Sequence, residues 1–337
     1  MNDSKGRENE VNDRAVSVLE QYDLTVLRTM KARSAMILET TEGIRILKEY
    51  EGPCGKLQFL NELLRPIEEE TGIFVDYPIP DREGNFSVCG RDGLRYVVKT
   101  HILAKECDPV NEEEMKRAAE TMAKLHLALK YKGNSLPGEY RIFRLADETR
   151  RLSRELVHIR KYLSKRKQKC YFEQELLRSF PYYEEKAGIL LKEMETVDFE
   201  GFYQEILEQK QFAHGDFQYH NCQFADHQPA VLNFEKCRMD SGVRDLSLFL
   251  RKTLEKADWS PSLLASLLNA YEQVSPLNEA EYRQLYFRLA FPEKFRKISN
   301  FYMNSNKAFI STQLLEKLEL LKLQERKKET CLNLVFK

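Results

Sequence analysis

The amino-acid sequence predicts an α+β fold, in which a small antiparallel β-sheet with one helix precedes a larger and mainly helical part. Up to about residue 105, short β-like runs with a period of two residues alternate with turn residues. Beyond Asn111, apolar residues recur instead at helical spacing, as Met115, Ala118, Met122 and Leu129 do. With 337 residues, the chain is long enough for two such lobes.

Five strands are expected in the first part of the chain. A turn at Glu42-Gly43 joins the second strand to the third, as in an antiparallel hairpin. In the third strand, Lys48 shares one face with Ile46 and Tyr50, because alternate side chains of a strand point the same way. A lone lysine in an apolar row requires an explanation. The five strand patterns cover residues 24–27, 35–40, 44–50, 86–89 and 94–98.

One helix is predicted after the third strand, beyond Gly52-Pro53. Its apolar residues recur at helical spacing until Thr71-Gly72 ends the pattern, and Glu62 lies inside it. Asn111 fits the N-cap of the next helix, because three glutamates follow it. The apolar residues of the first helix are Leu57, Leu60, Leu64 and Ile67.

Composition excludes several classes of function. The 53 Lys+Arg balance the 53 Asp+Glu, which argues against nucleic-acid or membrane binding by the field of the whole molecule. No run approaches the roughly 18 apolar residues of a membrane span, and the polar first residues lack the core of a signal peptide, so we expect a cytoplasmic protein. The 7 cysteines are scattered and have no metal-ligand spacing.

One region is strongly basic. Residues 150–169 hold nine Lys or Arg against the single Glu155, and an apolar helical stripe runs through them. The pattern is typical of an amphipathic helix with a solvated basic face, and an anionic substrate or partner surface is the alternative. Nucleic-acid binding is not favoured, because no recognition motif accompanies the basic residues.

The segment with the clearest chemistry covers residues 212–224. In it, Asp216 and Asn221 stand five residues apart in a polar loop that begins with His214-Gly215, and the segment 231–235 follows. Phosphoryl transfer explains this spacing, because an Asp orients the acceptor hydroxyl while a nearby Asn ligates magnesium. The order along the chain also fits, since a strand Lys and a helix Glu come before this loop.

The loop His214-Gly215-Asp216-x4-Asn221 resembles the H-G-D-x-x-x-x-N catalytic loop of the aminoglycoside phosphotransferase and choline kinase-like superfamily. Arg244-Asp245-Leu246 resembles the Asp-Leu that follows the metal loop of those kinases. Within the superfamily, the likeness narrows to the CotS family of spore-coat kinase-like proteins. The segments that carry this narrower likeness are 214–221, 233–237 with 243–246, 291–295 and 302–304.

The resemblance implies a protein-kinase-like, two-lobed fold that binds ATP and Mg²⁺. A polar segment (1–22) would precede the N-lobe (23–105), and the C-lobe (106–337) would carry the catalytic loop (212–224) and the equivalent of the metal loop (231–246).

On this basis Lys48 would pair with the α- and β-phosphates, and Glu62 would hold Lys48 in place, with Glu68 and Glu69 as rivals. The segment from Lys99 to Leu103 would be the hinge whose backbone meets the adenine. The hinge residues singled out as nucleotide-binding are Lys99, Thr100, His101 and Ile102.

In the large lobe, the resemblance makes Asp216 the catalytic base and Asn221 a magnesium ligand. His214 would be structural and orient the loop. Asp245 would cap or brace the loop rather than contact substrate.

The sequence departs from the family pattern at two places. The loop expected between the first strands, Arg28 to Ser34, contains no glycine, so Lys31, Arg33 or Ser34 would have to bind the phosphates. Asn233 stands where the family has its metal-chelating Asp, and an amide supplies no charge to a dication. In an extended segment Glu235 would project to the same side as Asn233 and bring the missing carboxylate.

Two hypotheses follow. The first is a phosphotransferase that transfers the ATP γ-phosphoryl group to an unknown hydroxyl acceptor, either a small molecule or a protein. The second is a catalytically impaired kinase-fold pseudoenzyme that serves as a binding or assembly component of the spore coat, with coat proteins as partners. Asp216 and Asn221 favour the first, whereas Asn233 and the glycine-free loop favour the second.

Overall fold

The structure is a computed structural model that describes residues 17–32, 34–133, 136, 141–226, 228–305 and 312–336. The chain divides into two compact units. Unit 1 comprises residues 1–108, 124–139 and 214–237, and unit 2 comprises residues 109–123, 140–213 and 238–337. The predicted first strands and the predicted catalytic loop therefore belong to the same unit.

The strands of the described residues are β1 Val26–Ala32, β2 Ala35–Thr40, β3 Gly43–Glu49, β4 Phe74–Val75, β5 Val88–Cys89, β6 Arg95–Thr100, β7 Lys105–Glu106, β8 Phe212–Ala213, β9 Cys222–Ala225, β10 Gln228–Val231 and β11 Arg238–Met239. The helices are α1 Cys54–Leu64, α2 Ile67–Thr71, α3 Glu112–Ala128, α4 Leu145–Lys165, α5 Tyr171–Glu195, α6 Glu200–Glu208, α7 Val243–Lys256, α8 Pro261–Glu272, α9 Glu279–Ala290, α10 Glu293–Asn304 and α11 Thr312–Phe336.

A five-stranded antiparallel sheet forms the main layer of unit 1, in the order β1-β2-β3-β6-β5. It confirms the predicted sheet, and with the helical remainder of the chain it confirms the α+β fold class. In its register Lys48 lies opposite Val97 and Ile46 opposite Lys99. Directly opposed residues share a face, so Lys48 and Lys99 lie on the same face of the sheet.

The connection between β1 and β2 differs from the expected loop. Strand β1 continues to Ala32, which pairs directly with Ala35. The expected loop from Arg28 to Ser34 is therefore mostly strand, because the pairing with β2 continues through Met30 and Lys31. Ser34 takes up the tight turn with a φ of 53°. Arg33, one of the residues expected to bind phosphate, lies outside the described residues.

The helix predicted after the third strand is two helices, α1 and α2. Pro66 precedes α2 and cannot donate a backbone N–H to the preceding turn, so the helix breaks there. The apolar pattern continues across the break, with Leu57, Leu60 and Ile67 all buried. Gly72 ends α2 with a φ of 71°, as the sequence predicts.

A second, smaller sheet in unit 1 has the order β4-β10-β9-β7. Strands β9 and β10 form a hairpin directly after the predicted catalytic loop, and Val231 pairs with Cys222 across it. This hairpin returns the chain, so that residues 232–237 come back to the loop that precedes it. It is the element that places Asn233 close to Asn221.

Unit 2 is mainly helical. Helices α4 and α5 pack with α10 and α11 around a buried cluster that includes Leu156, Phe180, Phe295 and Leu318. The predicted N-cap is confirmed, since Asn111 Oδ1 accepts hydrogen bonds from the backbone of Glu113 and Glu114.

The basic region predicted over residues 150–169 lies largely on α4. That helix buries Leu156, Ile159 and Leu163. Its basic residues include Arg160, which lies 3.0 Å from Glu184. Among the described residues, no helix is long and apolar enough to cross a membrane.

Candidate active site

The predicted catalytic loop is held by backbone and ring contacts. The Nδ1 of His214 accepts a hydrogen bond from the backbone N–H of Asp216 at 3.1 Å, and its Nε2 lies 3.0 Å from the carbonyl oxygen of Leu232. Because Nδ1 accepts, the ring proton lies on Nε2, which donates to Leu232. The fully buried His214 ring also contacts Phe234 at 4.4 Å between ring centroids. His214 therefore links the loop to the segment that follows the β9–β10 hairpin.

Gly215 is required by the shape of this loop. Its φ is 81°, and a Cβ atom placed there would lie 2.2 Å from the carbonyl oxygen of Lys236. Such a contact is sterically forbidden, and the φ value already disfavours residues with a side chain. The glycine thus lets the loop approach the backbone of Lys236 closely.

The Asp216 side chain is three-quarters buried and has two partners. Its Oδ2 accepts from Lys236 Nζ at 2.8 Å, and its Oδ1 accepts from Gln218 Nε2 at 3.2 Å. The side chain of Asn221 donates to the backbone carbonyl of Asp216 at 2.9 Å. The loop thus presents one carboxylate, and Asn221 fixes the backbone that carries it.

Asn233 uses both ends of its amide. Its Oδ1 accepts from Lys48 Nζ at 2.5 Å, and its Nδ2 donates to Asn221 Oδ1 at 2.8 Å. Its backbone is left-handed, with a φ of 71°, a conformation that asparagine tolerates better than most residues. The backbone N–H of Asn233 donates to Asp76 Oδ1 at 2.8 Å.

Lys48 lies at one end of an unbroken chain of hydrogen bonds. The chain runs from Lys48 through Asn233 and Asn221 to the backbone of Asp216. The lone lysine that the strand pattern singled out is therefore joined to the predicted base. The structure thus brings together four of the residues that the sequence singled out.

A buried ion-pair network lies beside Lys48. Lys99 Nζ forms ion pairs with Asp76 Oδ2 and, at 2.7 Å, with Glu235 Oε1, which also lies 3.9 Å from Lys48 Nζ. The side chains of Lys99 and Asp76 are almost wholly buried. Two carboxylates therefore surround Lys99, and one of them is shared with Lys48.

The pKa values of this network follow its charges. Burial opposes the charge of Glu235, but Lys99 and Lys48 outweigh it and lower the pKa of Glu235 to about 2. Burial likewise opposes the charge of Lys99, but Asp76 and Glu235 raise its pKa. Burial, together with repulsion from Lys99, lowers the pKa of Lys48. Glu235 and Lys99 therefore stay charged at neutral pH.

Glu62 does not meet Lys48. It is exposed on α1, where its carboxylate accepts from Tyr131 Oη at 2.9 Å and from Gln58 Nε2 at 3.1 Å. A different residue of α1, Lys56, reaches the site, where its Nζ donates to the backbone carbonyl of Glu235. Of the two rivals, Glu68 bonds to Gln228, and Glu69 is exposed on α2.

The predicted hinge is only in part available to a nucleotide. Lys99 and Thr100 belong to β6, and Lys99 pairs with Ile46. The backbone N–H groups of Thr100 and His101 donate to the carbonyl oxygens of Tyr77 and Ile44. A backbone contact with adenine would thus fall to Ile102 and the residues that follow it. Burial, with Lys99 and Lys48 nearby, lowers the pKa of His101 to about 4, so His101 is neutral at pH 7.

Glu235 was expected to supply the carboxylate that Asn233 lacks, but the structure does not place it beside Asn233 in that way. Residues Phe234–Lys236 form a 3-10 turn and Asn233 is left-handed, so the segment is not extended and the period-two argument does not apply. Glu235 is instead directed to Lys99. The position of Glu235 has a physical cause, because a buried lysine attracts the nearest carboxylate.

The residues present do not fit a magnesium ion. Magnesium prefers carboxylate oxygens in octahedral geometry, whereas the two expected ligands here are amides. Asn221 Oδ1 and Asn233 Oδ1 each already accept a hydrogen bond. Within the part of the chain that the structure describes, no group of three or more His, Cys, Asp or Glu could hold a metal ion.

Some residues of the site were not predicted. Asp76 and Lys56 lie in no motif, and Lys236 lies in the segment 233–237 but was given no role there. The side chain of Lys99 is not marked by the rule that singled out Lys48, because Lys99 shares its strand face with Arg95 and His101 as well as Val97. Asp245 belongs to unit 2, where it is fully buried in the first turn of α7.

A family profile described as "Spore coat putative kinase YutH" matches residues 16–335. The chain belongs to this family of spore-coat, kinase-like proteins. The resemblance to spore-coat kinase-like proteins is thus confirmed. Among curated proteins, this YutH-family chain is similar to "Spore coat protein S" of Bacillus subtilis (strain 168), with 24% identity over 303 residues, which cover 85% of this chain and 82% of the relative.

Solved structures show the fold of the YutH-family chain. An aminoglycoside phosphotransferase from Alicyclobacillus acidocaldarius subsp. acidocaldarius DSM 446 superposes with a TM-score of 0.79 at 19% identity over 94% of each chain. Amicoumacin kinase hAmiN, solved with AMP-PNP, Ca²⁺ and Ami, has a TM-score of 0.59 at 13% identity, covering 98% of this chain and 96% of the kinase. These likenesses confirm the predicted protein-kinase-like fold.

Proposed function

We propose that this chain is a kinase-like phosphotransferase of the spore coat, which transfers the γ-phosphoryl group of ATP to a hydroxyl acceptor. The family supports the kinase-like class and the coat location, and fold relatives solved with AMP-PNP or with ADP support the nucleotide. The observation that carries the proposal is the hydrogen-bonded chain from Lys48 through Asn233 and Asn221 to Asp216.

The chemistry assigned to these residues is simple. Lys48 binds phosphate oxygens with its ammonium group. The acceptor oxygen attacks the γ-phosphorus, the bond from that phosphorus to the β–γ bridging oxygen breaks, and ADP leaves. The hydroxyl proton passes to Asp216, whose carboxylate is oriented by Gln218 and Lys236. The acceptor itself is a small molecule or a coat protein.

A matched pair of variants tests the assignment of Asp216. With water as the acceptor, release of ADP from ATP should fall at least about 100-fold in Asp216→Asn, because the proton acceptor is lost. Asp226→Asn is the control, since it makes the same chemical change at an exposed turn residue that tolerates asparagine at its φ of 51°. Equal ADP release by wild type and Asp216→Asn, from protein freed of contaminating ATPases, would remove Asp216 from its role.

A second candidate is a nucleotide-binding coat component without turnover. It is favoured by Asn233, which supplies an amide where the family pattern has a carboxylate. The same assay separates the two candidates. Binding of ATP without ADP release in wild type supports the second, and Asp216-dependent release supports the first.

A further inference from the structure

We propose that the site holds the phosphates of a nucleotide without a divalent cation and uses lysine ammonium groups as their counter-charge. The inference rests on the nucleotide binding of the proposed function and adds to it the nature of the counter-ion. The observations that support it are the hydrogen bonds and ion pairs around Asn233.

The amide oxygens that a metal would need are already engaged. Asn233 Oδ1 faces the Lys48 ammonium group at 2.5 Å, and Asn221 Oδ1 faces the Asn233 amide nitrogen at 2.8 Å. A cation placed between these two oxygens would lie next to the Lys48 ammonium group, which carries a charge of the same sign. Neither oxygen would offer a negative charge in return.

The carboxylates of the site are also committed. Glu235 is bound by Lys99 at 2.7 Å, and Asp76 accepts from Lys99 and from the backbone of Asn233. Asp216 is bound by Lys236 at 2.8 Å. Freeing any of these carboxylates for a metal would leave a lysine without its partner, and for the buried Lys99 that cost is large.

The site also carries an excess of positive charge. Lys48, Lys56, Lys99 and Lys236 contribute four ammonium groups, against three carboxylates from Asp76, Asp216 and Glu235. An ammonium group has three donors, and Asn233 uses one of those of Lys48. Lys236 is the accessible one, with a side chain that is 67% exposed. The remaining donors of Lys48 and Lys236 can therefore bind phosphate oxygens while Asn233 and Asp216 keep their hydrogen bonds.

The test is calorimetric titration of ATP into the full chain, once in excess EDTA and once in MgCl₂. We expect dissociation constants that differ by less than about threefold, and weaker binding at high salt in both buffers, because the counter-charges are lysines. Binding that appears in MgCl₂ alone would overturn the inference and leave the proposed function standing. No binding in either buffer would overturn both.

Two site variants and one control sharpen this test. Lys236→Met should weaken ATP binding in EDTA about three- to tenfold, and the fold should be unchanged because the Lys236 side chain is exposed. Lys132→Met is the control for charge, because Lys132 is also exposed and its partner is Glu70. An unchanged dissociation constant in Lys236→Met would count against the inference.

Asn233→Asp tests the counter-ion directly. The new carboxylate would face Asn221 Oδ1 at about the present 2.8 Å with no donor between them. A cation is then the natural bridge, so ATP binding should weaken about tenfold or more in EDTA and recover in MgCl₂. The inference requires that residue 233 decides the counter-ion. Identical affinities of this variant for ATP in the two buffers would therefore contradict it.

Discussion

The side chain of Asn233 forms hydrogen bonds with both ends of its amide. Its oxygen accepts from a lysine of the sheet and its nitrogen donates to a second amide, so each end has a single compatible partner. An aspartate has the same shape but cannot donate. The difference between nitrogen and oxygen at one position therefore decides whether the Asn221 oxygen faces a donor or a second acceptor.

Gly215 provides a prediction about a single residue. Gly215→Ala should lower the free energy of unfolding by at least about 2 kcal/mol, because alanine is strained at a φ of 81° and its Cβ overlaps the carbonyl oxygen of Lys236. Urea unfolding followed by circular dichroism would measure the change.

Gly55→Ala is the matched control for that substitution. Gly55 lies in α1, and a Cβ there meets no atom within 4 Å. Alanine should therefore be neutral or stabilise by up to about 1 kcal/mol. A Gly215→Ala protein as stable as wild type would mean that the loop relaxes freely away from Lys236.

Single residues of the site differed in how well the sequence predicted them. Asp216 and Asn221 follow from a motif, and Lys48 follows from one period-two face. Glu62 was misplaced as the partner of Lys48, because a helical stripe shows which residues are buried and not which polar residue of the helix turns to the sheet. Glu235 was misplaced for a similar reason, since the left-handed backbone of Asn233 leaves no signal in the sequence.

At the scale of elements, a buried charge cluster ties three helices of unit 2 together. Glu148 on α4 accepts hydrogen bonds from Arg244 on α7 at 2.6 Å and from Arg288 on α9 at 3.3 Å. Arg244 also pairs with Asp240 at 2.5 Å. Burial opposes the charge of Glu148, but the two arginines outweigh it and lower its pKa to about 2.

The low pKa of Glu148 determines how the stability of the fold should change with pH. Since its pKa is 4.5 in a model compound and about 2 in the fold, the stability that it contributes is present above pH 4.5 and is lost as the pH falls towards 2. Glu148→Gln should lower the free energy of unfolding by about 2–4 kcal/mol at neutral pH. The gap to wild type should narrow between pH 4.5 and 2.

Chemical unfolding at a series of pH values would measure this gap. Glu316→Gln on α11 is the control, because Glu316 is exposed and the substitution should change stability by less than about 0.5 kcal/mol. A constant gap between wild type and Glu148→Gln across the acid range would show that the carboxylate is not the source of the effect.

Whole elements were easier to predict than their ends. All five strands of the main sheet and the N-cap at Asn111 follow from local patterns, because burial of one face imposes a period that the sequence displays. The break at Pro66 was overlooked because the apolar stripe continues across it. The β1–β2 turn was placed too early, since a glycine-free hairpin gives no strong turn signal.

At the scale of the molecule, equal numbers of acidic and basic residues leave no net charge near pH 7.0, the sequence pI. Copies of the chain therefore do not repel one another over long distances. Solubility should pass through a minimum near that pH and rise with moderate salt. Precipitation by polyethylene glycol at about pH 5, 7 and 9 would measure it, and a solubility that changes in one direction across this range would contradict the expectation.

The identity of residue 233 also depends on a single base of its codon. The two asparagine codons differ from the two aspartate codons by the first base alone, so a single transition separates this site from a carboxylate. A variant with a carboxylate at this position is therefore one base change away. The structural change needed for metal binding is larger. The first such variant would place a carboxylate beside Asn221 Oδ1 with no donor between them, and Lys99 would still bind Glu235.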